Sequence, residues 1–139
     1  MMETLYIDSN IFLNVVLEEE SSADSSYQLL RDIEKGKYSS VTSILTVMEI
    51  HRILQKYGKE EHIIGDLIQT IPSIGIEIIV PGGEDLMAAY EYVRTSKIDP
   101  ADAIHLSIAV SSSTVFITRD KELAGKIKKT IKTKTPEEL

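Results

Sequence analysis

The chain has 139 residues, of which 42% are hydrophobic and 27% are charged, and this is the size and balance of one globular domain. It contains no cysteine, which excludes a disulfide framework, a thiolate metal site and a cysteine nucleophile. The net charge of −7 argues against a long, purely electrostatic nucleic-acid footprint, although acids gathered at a metal site would shift the total in the same direction. We expect residues 1–139 to form a single domain.

The distribution of apolar residues disfavours two further classes of protein. No stretch approaches the roughly 18 apolar residues of a membrane span. The N-terminal residues lack the basic region, apolar run and small-residue cleavage site of a secretory signal. The absence of cysteine is compatible with a reducing compartment, so we expect a cytoplasmic protein without membrane contacts.

The first half of the chain alternates between short apolar strands and longer helical segments. The predicted order, by residue number, is strand 5–7, helix 11–20, helix 21–36, strand 38–41, helix 42–57 and helix 59–71. Gly36 and Gly58 stand where two of these helices should end, and Pro72 follows the last of them. Thr42 and Ser43 offer a cap for the helix that follows the second strand.

The second half continues the alternation. The predicted order is strand 76–80, helix 84–95, a helix that begins at Asp99-Pro100, strand 114–118, helix 121–129 and a last short strand 131–133. Proline suits the first position of a helix, which places the start of the middle helix at Pro100. Strands that alternate with helices predict an α/β domain on a mostly parallel sheet.

Two aspartates follow predicted strands. Asp8 comes directly after Leu5-Tyr6-Ile7, and Asp120 comes shortly after Val115-Phe116-Ile117. Ligands bind beyond the carboxyl ends of the strands in an open parallel sheet, so we expect both carboxylates at that edge. Each aspartate is equally well explained as a cap of the helix that follows it.

Glu49 interrupts the apolar face of the helix predicted over 42–57. Leu45 and Ile53, four residues before and after it, lie on the same face. Apolar residues occur nearly all round this helix, so we expect it to be extensively buried. A buried carboxylate needs a partner because an unpaired charge is costly to bury. That partner is either a metal site or a base, such as Arg52 or a remote lysine.

Asp102 lies near the start of an apolar helix. If Asp99 is the cap and Pro100 the first helical residue, Asp102 is the third, where exposed N–H groups favour an acid for structural reasons alone. The residues from 103 to 110 are strongly apolar, so the helix start should pack against the sheet. We therefore expect Asp102 near the sheet edge. Asp99 is a rival candidate, but its place before Pro100 suits a cap better.

Four carboxylates in one cleft repel one another unless they are protonated, paired with bases or neutralised by cations. Hard divalent ions such as Mg²⁺ or Mn²⁺ match sites made of oxygen ligands. The chemistry that such a site predicts is metal-assisted hydrolysis of a phosphodiester. The metal lowers the pKa of a bound water and offsets charge on the attacked phosphate.

Four segments, in their order and spacing, resemble the PIN domain family, which includes the VapC-type toxins of prokaryotic toxin–antitoxin systems. They are YIDSNIFLN with Asp8, SILTVMEIHRIL with Glu49, DPADAIHLSIAV with Asp102 and VFITRD with Asp120. The resemblance covers nearly the whole chain. It implies a three-layer α/β/α fold with a central, mostly parallel sheet of four to five short strands flanked by helices.

The same resemblance implies a ribonuclease that depends on Mg²⁺ or Mn²⁺ and hydrolyses RNA through an acidic quartet. The four acids at the matching positions are Asp8, Glu49, Asp102 and Asp120. Thr118 would orient a metal-bound water or an acidic ligand through its hydroxyl group. Homodimers are frequent in the family, and toxin members are held inactive by a small antitoxin protein, so both are expected partners.

Other features favour more ordinary interpretations. Ser9 and Asn10 either hydrogen-bond a ligand or cap the first helix, and His105 is better explained as a packed histidine than as a ligand. The lysines of KELAGKIKKTIKTK are better explained as a solvated face than as an RNA contact. The alternatives to a nuclease are a PIN-like binding module without activity and a phospho-acceptor signalling module. The second needs an acidic pair at the first strand, where Asp8 is followed by Ser9 and Asn10.

Overall fold

The computed structural model describes residues 3–19 and 22–139 and is built round a sheet of five parallel strands. The strands are β1 (Thr4–Ile7), β2 (Ser39–Ser43), β3 (Glu77–Ile79), β4 (Val115–Ile117) and β5 (Lys132–Lys134). Their order across the sheet is β3-β2-β1-β4-β5, which places the first strand at the centre. Tyr6 of β1 pairs with Val41 of β2 on one side and with Phe116 of β4 on the other.

The described residues also contain seven α-helices and one 3-10 turn. They are α1 (Ser9–Val16), α2 (Ala23–Glu34), α3 (Ile44–Lys56), α4 (Glu61–Ser73), α5 (Gly83–Ser96), α6 (Pro100–Ser112), α7 (Lys121–Ile127) and the turn at Pro136–Glu138. None of the described helices combines the length and the apolar character that crossing a membrane requires.

Helices cover both faces of the sheet. Leu5 and Ile7 point to one face, where they pack with apolar residues of α1, α2, α3 and α4. Tyr6 points to the other face and packs with residues of α5, α6 and α7. Because both faces are covered, the three buried residues of β1, Leu5-Tyr6-Ile7, do not alternate with polar residues. The predicted three-layer α/β/α fold with a parallel sheet is confirmed.

Helix α1 begins earlier and ends earlier than predicted. Asp8 accepts a hydrogen bond from the Ser9 N–H and caps the helix, which begins at Ser9, two residues before the predicted start. The helix ends at Val16, and Glu18 has a left-handed backbone with φ of 51°, which no helix continues through. Glu20 and Ser21, the predicted end of this helix and start of the next, lie outside the described residues.

Helix α4 continues two residues beyond its predicted end. Pro72 lies inside its last turn rather than after it, and Gly75, with φ of 98°, follows the helix end. Proline removes one N–H from the helix, and this loss is tolerated where the helix is about to stop. A proline therefore marks this helix end only to within one turn.

Helix α3 is less buried than its apolar composition predicts. Its buried residues are Thr46, Ile50 and Leu54, whereas Met48 is exposed and Glu49 is partly exposed. The prediction of extensive burial is therefore wrong, because one face of α3 packs in the core and the neighbouring face meets solvent. This places Glu49 at the border between core and solvent.

Candidate functional site

The candidate site lies where β1 and β4 end, at the carboxyl edge of the sheet. The chain runs from β1 outward to β2 and β3 on one side, and places β4 and β5 on the other side. This reversal of strand order is the position at which open parallel sheets bind ligands. Asp8 follows β1 and donates its backbone N–H to the Ile117 carbonyl at 3.0 Å, so the ends of the two strands are held together.

Asp8 is a buried carboxylate, 6% exposed, that accepts three hydrogen bonds. Its Oδ1 accepts from the Ser9 N–H at 2.8 Å, and its Oδ2 accepts from the Thr118 hydroxyl at 2.7 Å and from Asn10 Nδ2 at 3.2 Å. Burial raises the pKa of Asp8, and this outweighs the charge of His105 and the hydrogen bonds from Thr118 and Ser9, which lower it. The folded protein therefore disfavours the negative charge at this position unless a cation offsets it.

Thr118 and Asn10 hold the end of β4 against the start of α1. The Thr118 hydroxyl accepts hydrogen bonds from Asn10 Nδ2 and from the Asp120 N–H, each at 3.1 Å. Asn10 Oδ1 accepts from the Arg119 N–H at 3.1 Å. Thr118 is buried, so its hydroxyl is fixed beside Asp8 rather than free in solvent. Asn10 thus links the ends of β1 and β4 through its side chain. The sequence had suggested either a ligand contact or a cap of α1 for this residue.

Glu49 reaches the same edge from α3 and is paired with a histidine. Its Oε1 lies 2.9 Å from Nε2 of His105. The base that the sequence predicted was Arg52 or a lysine, whereas the base in the structure is this histidine. Burial opposes protonation of His105, but the hydrogen bond to Glu49 and the charges of Glu49, Asp8 and Asp102 outweigh it and raise the pKa of His105. Glu49 and His105 therefore form an acid–base pair joined by a hydrogen bond.

His105 is fully packed, as predicted, but it is also part of the site. The ring is 1% exposed, and its Nδ1 lies 2.6 Å from the hydroxyl of Tyr6, which is itself buried in β1. The Tyr6 hydroxyl also contacts Ser43 Oγ at 2.9 Å. Burial raises the pKa of Tyr6, so its hydroxyl keeps its proton. The spacing of Asp102 and His105, three residues apart on one helix, was the only sequence signal that placed this ring near the acids.

Three side chains of types that can ligate a metal converge at this point. One ligand atom each from Asp8, Glu49 and His105 lies within 4.8 Å of the others. They come from the end of β1, the middle of α3 and the first half of α6. The two carboxylates of this mainly buried cluster offer the oxygen donors that suit Mg²⁺ or Mn²⁺.

Asp102 and Asp120 flank this group without belonging to it within the described part of the chain. Asp102 lies in the first turn of α6 and is half-buried. Burial raises the pKa of Asp102, the charge of His105 lowers it, and the charges of Asp120, Asp8 and Asp99 raise it further. Asp102, Asp8 and Asp120 are thus close enough for their charges to interact, and the net effect is a raised pKa of Asp102.

Asp120 has a structural role in addition to any chemical one. It caps α7, with its Oδ1 accepting from the Leu123 N–H at 3.0 Å, and it is exposed. Asp99 stands at the cap position of α6, but its side chain makes no capping hydrogen bond. Asp99 therefore occupies the cap position that was predicted, but its side chain does not act as a cap. The reason for preferring Asp102 over Asp99 as a site residue is weakened accordingly.

These features agree with a comparison of the sequence with protein families. The model of the PIN domain matches residues 5–128, and the chain therefore belongs to the PIN domain family. A comparison with curated proteins found no match.

Solved structures with a similar fold include toxin–antitoxin complexes. A chain of the toxin–antitoxin complex from Klebsiella pneumoniae is 21% identical with a TM-score of 0.68, over 95% of this chain and 97% of that chain. A chain of VapBC2 from Rickettsia felis, bound to a DNA fragment from its promoter, is 18% identical with a TM-score of 0.71, over 95% and 98%. A chain of VapBC-1 from nontypeable Haemophilus influenzae is 14% identical with a TM-score of 0.68, over 96% and 98%. At these identities the likeness shows a shared fold.

Proposed function

We propose that this protein is an endoribonuclease that hydrolyses RNA phosphodiester bonds with the help of Mg²⁺ or Mn²⁺. The observation that carries the proposal is the convergence of the Asp8 and Glu49 carboxylates beside His105 at the carboxyl edge of the sheet, with one ligand atom of each residue within 4.8 Å of the others. Membership of the PIN domain family supports a nuclease, and the products expected from that family are 5′-phosphate and 3′-hydroxyl ends.

The donor set fits a divalent ion. Asp8 presents a buried carboxylate whose charge is disfavoured, and Glu49 lies beside it at the border with solvent. When bound there, such an ion lowers the pKa of a water and offsets charge on the phosphate. Asp102 and Asp120 are proposed as further acids that hold the ion or its waters.

The protein groups around the acids position the reacting parts. Thr118 holds Asp8 Oδ2 through a hydrogen bond of 2.7 Å, and Asn10 holds both residues from the side. Glu49 lies at the edge of a surface pocket whose other lining residues are Ser9, Leu45, Met48, Arg52 and Ile53. Arg52 supplies a positive charge at this pocket, where a phosphate of the substrate would enter.

The proposal is tested by RNA cleavage. Single-stranded RNA should be cut in Mg²⁺ or Mn²⁺, and EDTA should abolish cleavage. Asp8→Asn should lower the rate by about 100-fold or more, because catalysis at such sites depends mainly on electrostatic stabilisation of the transition state. Asp66→Asn, which removes an exposed charge from α4, is the matched control and should leave the rate unchanged. Cleavage that persists in EDTA with the same product ends would contradict the proposed mechanism.

The proposed partners follow from the same family. We propose that the protein is the toxin of a toxin–antitoxin pair and that a small antitoxin protein binds it, as supported by the three complexes whose chains share its fold. We also propose a homodimer, since Leu86, Met87 and Tyr90 expose large apolar side chains on α5. The antitoxin proposal is supported if the product of a small, overlapping upstream reading frame co-purifies with this chain and stops RNA cleavage. If the two proteins are co-expressed and do not bind, the antitoxin proposal is contradicted.

A further inference from the structure

We propose that Tyr6 and His105 are positioning residues that fix the Glu49 carboxylate in the orientation in which it holds the divalent ion. This inference rests on the proposed function, since it concerns the same site. It adds two residues that act through Glu49 and that the acidic quartet does not contain.

The His105 ring is held in a single orientation. It is almost fully buried, and both of its nitrogens are engaged, Nε2 with Glu49 Oε1 at 2.9 Å and Nδ1 with the Tyr6 hydroxyl at 2.6 Å. The Tyr6 and His105 rings meet edge to face, with centroids 5.8 Å apart and planes at 71°. The ring cannot turn without breaking both polar contacts, so it presents Nε2 to Glu49 in one direction only.

Glu49 by itself is a flexible ligand. A glutamate has three flexible side-chain torsions, and this one is 32% exposed on the solvent side of α3. Fixing such a side chain at the moment of metal binding costs conformational entropy. A hydrogen bond from a rigid, buried ring removes much of this freedom in advance, and it occupies only one of the two carboxylate oxygens.

The contact between His105 and Glu49 survives a change in the charge of the ring. If His105 is neutral with its proton on Nε2, it donates to Glu49, and Nδ1 accepts from the Tyr6 hydroxyl. If His105 is protonated, Nε2 still donates to Glu49, while Nδ1 donates to Tyr6 and the Tyr6 hydroxyl donates to Ser43 Oγ, 2.9 Å away. The orientation of Glu49 is therefore held in both states.

The proton on Nε2 distinguishes positioning from direct ligation. Glu49 accepts hydrogen bonds only, when ionised, so a contact of 2.9 Å with Nε2 requires a proton on that nitrogen. With this proton in place, Nε2 has no lone pair to offer a cation. Partners that orient a ligand in this way commonly change metal affinity by about 10- to 100-fold when they are removed.

The test measures metal affinity, not activity. Mn²⁺ and Mg²⁺ are titrated by calorimetry into the wild type, His105→Leu, His105→Gln, Tyr6→Phe and Ser107→Ala. Ser107 is the matched control because it is buried on α6 and, among the described residues, its hydroxyl hydrogen-bonds only the Ile104 carbonyl of the same helix. Thermal unfolding in EDTA establishes which variants are folded, and the conservative Tyr6→Phe change serves if His105→Leu does not fold.

The expected result is graded. His105→Leu should weaken the binding of both metals by about tenfold or more. Tyr6→Phe should weaken them by about threefold or more, because it removes only the hydroxyl that holds the ring. His105→Gln, whose amide nitrogen reaches the place of Nε2, should bind within about threefold of the wild type, as should Ser107→Ala.

Three outcomes would overturn the proposal. Wild-type affinity in folded His105→Leu or Tyr6→Phe would show that Glu49 needs no positioning. If His105→Leu and His105→Gln both lose metal affinity, and the loss is much larger for Mn²⁺ than for Mg²⁺, then His105 is a direct ligand. A wild type that binds neither metal would instead refute the proposed function, and this inference would fall with it.

Discussion

Asp8 has two opposite effects on the stability of the fold. Its side chain caps α1, which stabilises the fold, and its charge is buried, which destabilises it. The raised pKa of Asp8 means that the folded state holds the proton more tightly than the unfolded state. The free energy of unfolding therefore decreases as the pH rises from the ordinary pKa through the raised one, because the ionised carboxylate is a cost to the folded state.

Asp8→Asn tests this balance. Without metal, the variant should be as stable as the wild type or more stable by about 1 kcal/mol, because the amide oxygen can still accept from the Ser9 N–H while the buried charge is gone. The stabilisation that Mg²⁺ gives by binding the folded state should shrink. Thermal unfolding in EDTA and in Mg²⁺ measures both. A loss of about 0.5–2 kcal/mol in EDTA, with an unchanged response to Mg²⁺, would mean that Asp8 is only a cap.

Thr118 is the residue whose hydroxyl joins the most polar groups at the site. Thr118→Val keeps the shape but leaves Asp8 without one donor and the Asp120 N–H without its acceptor. We expect a loss of about 1–3 kcal/mol in urea unfolding, because buried groups lose their partners. Thr118→Ser keeps the hydroxyl and should lose less. Equal losses in the two variants would contradict this assignment, because Thr118→Ser keeps the hydroxyl and its hydrogen bonds.

Arg119 connects the end of β4 to elements that lie far from it in sequence. Its Nε donates to Asn14 Oδ1 of α1 at 2.6 Å, its Nη2 donates to Ser25 and Ser26 of α2, and its Nη1 donates to Glu137 of the 3-10 turn at 2.8 Å. The side chain is 17% exposed. One residue next to the candidate site thus holds two helices and the turn after β5 in place.

Glu137→Gln tests the outer part of this network. Partial burial of Glu137 raises its pKa, but hydrogen bonds from Ser25 and Arg119 outweigh this and lower the pKa from 4.5 to about 2. Because the folded pKa is depressed, the ionised group stabilises the protein above about pH 4.5, and this stabilisation is lost as the pH falls towards 2. Glu137 is 47% exposed, so solvent screening limits the effect to less than about 1 kcal/mol.

Urea unfolding between pH 3 and pH 7 measures this effect. The variant should be slightly less stable at pH 7, and its stability should fall less steeply below pH 4.5. Glu84→Gln, which changes an exposed acid in the first turn of α5, is the control. Parallel curves for the wild type and Glu137→Gln would show that Arg119 is held by the serine and asparagine contacts alone.

The order and type of the elements were predictable because apolar segments and helix breakers are local signals. Gly36, with φ of 83°, follows α2 as predicted, and Pro100 begins α6. The burial of α3 was not predictable in the same way. Met48 is apolar and exposed, and only the arrangement of neighbouring helices decides which side of a mostly apolar helix is covered.

The site was predictable only in part. Acids that follow parallel strands meet at one edge by geometry, which located Asp8 and Asp120. The pairing of Glu49 with His105 joins residues 56 positions apart on two helices, and no local pattern encodes it. Tyr6 looks like any other aromatic residue of a buried strand until its hydroxyl is placed against the ring. Polar contacts between residues far apart in the sequence can be identified only in the folded structure.

The proposed homodimer concerns the surface of the whole molecule. Leu86, Met87 and Tyr90 on α5 are apolar and exposed on the side of the sheet opposite α3. We expect sedimentation at tens of micromolar to show a dimer, and Met87→Glu with Tyr90→Glu to shift it to a monomer, since charges are disfavoured in the centre of an interface. Tyr57→Glu, at the end of α3 on the other side, is the control and should stay dimeric. A monomeric wild type would contradict the proposal.

The bond between Asp8 and Thr118 spans 110 residues, and this has a consequence during synthesis on the ribosome. A nascent chain that has been translated through β3 contains Asp8 and Glu49 but neither His105 nor Thr118. The edge that holds the acids exists only after β4 has paired with β1, and contacts between such distant residues form late in folding. We therefore expect a product truncated before β4 to lack the assembled site. If the protein cuts RNA as proposed, each copy gains this activity only after β4 has paired with β1, near the end of its own synthesis.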